Sequence, residues 1–265
     1  MPNLGQQAIV DNRGAGTVTA EIFSKLPPDG YSMMLYNNTV WVGPLLQDAS
    51  YDAVRDFAAV TLLAQSPNIV VVHPAMPAKT IQELVKLARS RPGDINYASG
   101  ATGASNHIAA ELFQTMAKVK LTRIAYKSGA QQSADLLGGH VQLMFASASM
   151  TPYVKSGKLR LLGVASSQPS MLFPGAPTVA SAGLPGYESG SYYVIFAHAK
   201  TPEAMITKIN QESVRYMKSQ DAKEKFLNAG METVGSTAAE LAALVKSDIA
   251  RLGKVIKDAG IREGQ

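Results

Sequence analysis

Residues 97–107 read Tyr97-Ala98-Ser99-Gly100-Ala101-Thr102-Gly103-Ala104-Ser105-Asn106-His107, and apolar residues follow at helical spacing: Ile108, Leu112, Phe113 and Met116. Two glycines and three hydroxyl residues join the end of an apolar strand to the start of a helix. This order gathers unpaired backbone N–H groups, the positive end of a helix dipole and Ser/Thr hydroxyls at one point. That chemistry suits an anion such as a carboxylate or a phosphate. No Lys or Arg lies within the loop, so neutral dipoles would hold the anion. Strand–loop–helix units also occur without a ligand, and the stretch alone assigns no site.

Other chemistries are poorly represented. His73, His107, His140 and His198 are far apart, and none stands at metal-ligand spacing. No nucleophile elbow, P-loop or full dinucleotide fingerprint occurs. Ser99 or Ser105 with His107 offers a nucleophile and a base, but no third group to orient them. A histidine in the first turn of a helix is more often a hydrogen-bonding or ligand-facing group. Asp52, Asp56, Asp94 and Glu111 read as caps and solvated groups rather than an acid–base pair. No catalytic residue, metal or cofactor is expected.

Composition sets wider limits. The 265 residues make one large domain or two of ordinary size, and 46% hydrophobic against 17% charged residues supports a substantial core. Cysteine is absent, which excludes disulfides and thiolate metal sites. The net charge of +5 comes from scattered Lys and Arg; Lys246, Arg251, Lys254 and Lys257 read as a solvated face of the last helix. No nucleic-acid partner is expected. No apolar run is long enough to span a bilayer, and Met1-Pro2-Asn3-Leu4-Gly5-Gln6-Gln7 lacks the basic and apolar regions of a signal peptide.

The elements that would position the loop alternate along the chain. A strand is expected at 8–11, a turn at Asn12-Arg13-Gly14-Ala15-Gly16, a helix to about residue 25, and a strand at 31–36 ending in Asn37-Asn38-Thr39. Strands at 59–63 and 69–72 are separated by Ser66-Pro67-Asn68. Thr80-Ile81-Gln82-Glu83 is a capping box whose helix stops at Arg91-Pro92-Gly93. Strand 95–98, the loop, helix 105–117, strand 121–125, a helix ending at Gly138-Gly139, and strands 141–146 and 159–165 follow. A Pro/Gly-rich segment at 169–186 precedes strand 192–197, a helix starting at Thr201-Pro202-Glu203, and a long last helix capped by Thr237 with Glu240. Alternating strands and helices predict mainly parallel α/β sheets, whose ligands sit beyond the carboxyl ends of the strands. The short polar residues there are Asn37, Asn38 and Thr39; Ser99, Gly100, Thr102, Gly103 and Ser105; Tyr126 and Lys127; and Ser147. They are expected to meet at one cleft, with Lys127 their one cation. Tyr126 packs in the core or contacts ligand.

Several segments taken together resemble one family. Val10-Asp11-Asn12-Arg13-Gly14-Ala15-Gly16, Pro27-Pro28-Asp29-Gly30-Tyr31, the 97–107 stretch, Ala125-Tyr126-Lys127, Asp135-Leu136-Leu137-Gly138-Gly139-His140-Val141, Gly157-Lys158-Leu159-Arg160 and Pro177-Thr178-Val179-Ala180 occur in the order found in the substrate-binding receptors of tripartite tricarboxylate transporters, the Bug or TctC family. The resemblance implies a type II periplasmic-binding-protein clamshell of two α/β lobes, 1–68 with 194–265 forming lobe I and 69–193 forming lobe II, joined by two crossing strands. It implies an extracytoplasmic receptor that captures a di-, tri- or aromatic carboxylate for a membrane permease. Ser99, Gly100, Thr102, Gly103, Ser105 and His107 would meet the carboxylate, Tyr126, Lys127 and Ser147 would line the cleft, and Asn37, Asn38 and Thr39 would face it from lobe I. A periplasmic monomer without cofactor is expected.

Two departures from the family pattern stand out. The chain begins where family members have completed a first strand, a Gly-rich loop and a first helix, so lobe I is expected to lack one jaw of the carboxylate clamp. Many relatives carry Asp-Asn where this chain has Ala146-Ser147, which favours a plain carboxylate over a ligand bearing an ammonium group. Tyr36, Trp41, Tyr126, Tyr192 and Tyr193 would suit an aromatic acid if they faced the cleft. An enzyme acting on a carboxylate through His107 and a cytoplasmic ligand sensor are the alternative readings.

Overall fold

The computed structural model describes residues 7–13 and 17–261. In chain order the first elements are α1 (Val18–Phe23), β1 (Met34–Asn37), α2 (Thr39–Leu46), β2 (Phe57–Pro67), β3 (Ile69–Val72), α3 (Ile81–Ser90) and β4 (Asn96–Ser99). Then come α4 (Ser105–Ala117), β5 (Thr122–Ala125), α5 (Gly129–Leu137), β6 (Leu143–Ala146), α6 (Thr151–Lys155) and β7 (Arg160–Val164). The chain ends with β8 (Gly190–His198), α7 (Glu203–Met217), α8 (Gln220–Asn228), β9 (Glu232–Thr233) and α9 (Ala238–Asp258). Two compact units result. One comprises Met1–Gln65, Tyr192–Phe226 and Thr233–Arg251; the other comprises Ser66–Ser191, Leu227–Glu232 and Leu252–Gln265.

The second unit is built on a five-stranded sheet in the order β5-β4-β6-β3-β7. β4 runs parallel to β5 and β6, while β3 is antiparallel to both β6 and β7. Four strands therefore share a direction. β3 opposes them because it follows β2 after one residue, with no crossover helix to turn it round. Side chains of a strand point alternately to the two faces. Val70 and Val72 of β3, Leu143 and Phe145 of β6 and Tyr97 of β4 enter one cluster with Leu84 of α3 and Phe113 of α4. Ile69 and Val71, Met144 and Ala146, and Ala98 enter the opposite cluster with Leu136 of α5. Strands buried on both faces read as unbroken apolar runs, as Ile69-Val70-Val71-Val72 does.

Helix starts follow local chemistry. Thr80 caps α3 by accepting from the Glu83 N–H at 3.1 Å, and Thr237 caps α9 by accepting from the Glu240 N–H at 3.1 Å. In the first unit β1, β8, β2 and β9 form a sheet in that order, with β1 antiparallel to β8. Its core holds an aromatic group in which Trp41 stacks on Tyr192 and meets Phe196 edge-on. The buried Asp248 carboxylate accepts from the Trp41 indole N–H at 2.8 Å.

Three expectations are corrected. Residues 8–11 form no strand and are exposed. β2 does not stop at 63 but continues to Pro67, a position at a strand end that tolerates a missing N–H. Thr39, expected among the polar residues that end a strand, instead opens α2, a helix for which no element was expected. The Asn37 side chain accepts from the Thr39 N–H at 2.9 Å and turns the chain into it. Gly14, Ala15 and Gly16, which carry part of one family-like segment, lie outside the described residues.

Candidate ligand-binding site

β5, β4 and β6 are adjacent and parallel, so their carboxyl ends lie along one edge of the second unit's sheet. Asn68 precedes β3, whose start pairs with the end of β6 (Ile69 opposite Ala146), and so reaches the same edge. A cavity of about 670 Å³ opens there. Its polar lining includes Asn68, Ser105, Asn106 and Gln132, with further hydroxyls from Ser147, Ser149 and Ser191. Leu137, Met144, Met150 and Tyr153 supply an apolar wall, and among the described residues no charged side chain lines the cavity.

Two helices begin at this cavity: Ser105 and Asn106 open α4, and Gly129 and Ala130 open α5. The first-turn N–H groups of a helix have no partner within it. The residue before α4 is Ala104, whose methyl side chain cannot cap them. The residue before α5 is Ser128, whose hydroxyl accepts only from the Gln131 N–H. Each helix start carries roughly half a positive charge, so about one elementary positive charge faces the cavity without any ionised side chain.

The loop between β4 and α4 is held from behind by Arg123 of β5. Its Nε donates to Ser99 Oγ at 2.7 Å, Nη1 to Thr102 Oγ1 at 3.2 Å and Nη2 to the Gly100 carbonyl at 2.8 Å. Asn106 Oδ1 accepts from the Gly100 N–H at 3.1 Å while its Nδ2 donates to Gln132 Oε1 at 2.8 Å, tying the loop to α5. Gly103 adopts φ +79°, a conformation that L side chains rarely adopt, and its N–H donates to His107 Nδ1 at 3.1 Å. His107 is therefore an acceptor at Nδ1 and neutral. Burial first, and the nearby Arg123 guanidinium second, lower its pKa to about 4. Glu111 lies 3.8 Å from Nε2, but the same oxygen already accepts from the Tyr97 hydroxyl and the Gln114 amide.

The expected site residues therefore separate into groups. Gly100, Ser105 and Ser147 line the cavity. Ser105 Oγ also accepts from Asn68 Nδ2 at 3.2 Å, and Ser147 Oγ lies 2.7 Å from Ser149 Oγ. Ser99, Thr102, Gly103 and His107 build the loop behind the cavity rather than lining it. Tyr126 spends its hydroxyl on Asp135 at 2.7 Å; burial and then that bond raise its pKa to about 12. Lys127 is exposed and outside the lining. Asn37, Asn38 and Thr39 belong to the first unit, at the start of α2. Trp41 and Tyr192 are buried in that unit's core.

Arg123, Asn68, Gln132 and the apolar wall were not picked out from the sequence. Arg123 sits mid-strand, and only the β4–β5 register, with Tyr97 opposite Arg123, brings it to the loop. Among the described residues no cluster of His, Cys, Asp or Glu could hold a metal ion, and no helix is long and apolar enough to cross a membrane.

Comparisons with known proteins point one way. Residues 1–261 match the model of the tripartite tricarboxylate transporter family receptor. The chain is 31% identical over 268 residues to the UPF0065 protein of the tcbD-tcbE intergenic region of a Pseudomonas species, covering 99% of this chain and 80% of that one. It resembles an R. palustris protein whose structure was determined with adipate, at a TM-score of 0.77 and 31% identity, covering 99% of this chain and 89% of the other. It also resembles MatC from Rhodopseudomonas palustris with bound malate, at a TM-score of 0.72 and 25% identity, covering 96% and 90%.

Proposed function

The chain belongs to the tripartite tricarboxylate transporter receptor family, and on that footing we propose that it is an extracytoplasmic solute-binding receptor that captures a small organic carboxylate for a membrane permease. The observation that carries this reading is the cavity onto which two helix starts open, with no charged side chain among the described residues of its lining. A carboxylate there accepts hydrogen bonds from first-turn N–H groups and from Ser105, whose hydroxyl rotates to donate. The adipate and malate of the two R. palustris structures are carboxylates of this kind.

The cavity is a binding site rather than a catalytic one in this reading. His107 faces the Gly103 N–H with its acceptor nitrogen, and the hydrogen bonds of Ser99 and Ser105 lead to Arg123 and Asn68 instead. The two units would act as the lobes of the receptor, and ligand capture would shift the population between conformations of the chain that the permease distinguishes. A periplasmic location and a monomeric state follow from the same reading.

Calorimetric titration with a panel of aliphatic and aromatic acids, with the mixtures analysed for product afterwards, tests the proposal. Saturable binding with the acid recovered unchanged is expected. Conversion of any acid, or absence of binding across the panel, overturns it.

A further inference from the structure

The wall of the cavity has a chemistry that the carboxylate-binding end does not explain. Met144 and Met150 are 7% exposed and belong to the buried cluster beneath α5 and α6, and Leu137 and Tyr153 pack against that cluster. The wall is thus the uncovered face of a packed core, held in shape by its neighbours. Several polar groups of the lining are occupied with neighbours: Asn106 with Gln132, Asn68 with Ser105 and Ser189, Ser133 with the Gly129 carbonyl, and Ser147 with Ser149.

We propose that this receptor selects acids whose body is an unsubstituted hydrocarbon chain or ring, with Leu137, Met144, Met150 and Tyr153 as the selecting residues. The inference rests on the carboxylate-receptor reading and sharpens its substrate class. Two helix starts supply about one elementary charge in total, enough for one carboxylate. A further carboxylate pressed against Leu137, Met144 or Met150 would lose its water without a polar partner on that wall, so it must extend beyond the wall. Hydroxyl groups along the ligand body would meet the same apolar wall, whereas methylene groups gain from it.

The test is a homologous series on the unaltered chain: acetate to octanoate, then benzoate and citrate, titrated by calorimetry. Affinity should rise about fourfold for each added methylene until the wall is covered, and citrate should bind more weakly than hexanoate. Met150→Gln, which keeps length and flexibility, should flatten that rise; its thermal melting reports whether it is folded. The slope on the unaltered chain stands as a test even if the variant fails to fold. Affinity independent of chain length, or citrate as the tightest ligand, overturns the inference while leaving a carboxylate receptor in place. No binding by any acid in the series overturns both.

Discussion

Val70 and Val72 of β3 disappear into one buried cluster and Ile69 and Val71 into another, so helices cover the second unit's sheet on both faces. In the first unit, Leu35 of β1 stands 63% exposed on a strand at the edge of its sheet. The contrast extends beyond this pair. Among the described residues, every exposed large hydrophobic except Met171 belongs to the first unit, including Val18 and Ile22 of α1, Leu26 and Tyr31. Both units enclose an aromatic core, but the second leaves little apolar surface open apart from the cavity wall and Met171. The candidate site is built in the second unit, where α4 and α5 are anchored by packing and their starts can hold a fixed geometry.

Equivalent substitutions in the two units should therefore differ widely in effect. Phe113 is fully buried, its ring 5.3 Å from Phe145 and edge-on to Tyr187 at 6.0 Å. Phe113→Ala should cost about 3–5 kcal/mol of stability. Leu35→Ser should change stability by about 0.5 kcal/mol or less and should reduce self-association, because it removes an exposed apolar group from an edge strand. Denaturant unfolding and light scattering measure the two effects; equal stability losses would erase the contrast.

Hydrogen exchange sharpens the same comparison on the unaltered chain. Amides in 34–63 should exchange faster than those in 95–164, because apolar surface already open to water leaves less burial to oppose local opening. Equal protection of both regions would show that the exposed residues of the first unit carry no cost.

The second unit was also the more legible in the sequence. Its helix 105–117 carries apolar residues at Ile108, Leu112 and Phe113 on a regular face, and its capping box at Thr80 and Glu83 is a local signal that survives any tertiary context. α2 was missed because Val40, Trp41, Val42 and Gly43 are all buried, which removes the one-sided period that marks a helix, and because Pro44 lies inside it. The strand expected at 8–11 rested on Ile9 and Val10, both now exposed, so apolar type alone did not create pairing. At the site, the loop and its glycines were visible as a sequence of residue types. Arg123 and the apolar wall were not, because strand register and helix placement assemble them from residues far apart in the chain.

The buried histidine gives the second unit a pH response of its own. The folded-state pKa of His107 lies near 4, against about 6.5 in an unfolded chain. The unfolded chain therefore takes up a proton below pH 6.5 while the folded one does not. The contribution is fully present above pH 6.5 and is lost as pH falls from 6.5 toward 4, where the folded state also protonates. Once the loop opens and His107 takes up a proton, Nδ1 can no longer accept from the Gly103 N–H, so opening of the loop before α4 should become easier over the same range. Exchange at Gly103 measured without ligand between pH 4 and 7, corrected for intrinsic rates, reports this. His107→Gln, whose amide does not titrate, should remove the acid-dependent part; an unchanged pH profile in that variant would place the titrating group elsewhere.

Substitution at Ser105 tests the site most directly. Ser105 lines the cavity at the first position of α4, exposed and outside both buried clusters, so Ser105→Ala should leave stability nearly unchanged. It removes one hydroxyl that could donate to a carboxylate, which should weaken binding by about 1–3 kcal/mol, because hydrogen bonds to charged groups exceed neutral ones. Thr102→Val should act differently. Thr102 does not line the cavity, and its hydroxyl accepts from Arg123 Nη1 at 3.2 Å, so any loss arises through the loop's support. A direct contact predicts that Ser105→Ala loses affinity equally for all acids at constant melting temperature, whereas Thr102→Val loses affinity only as far as the loop loosens, with faster exchange at Gly103. Unchanged affinity in Ser105→Ala would move the carboxylate away from the start of α4 and leave α5 as the helix that receives it.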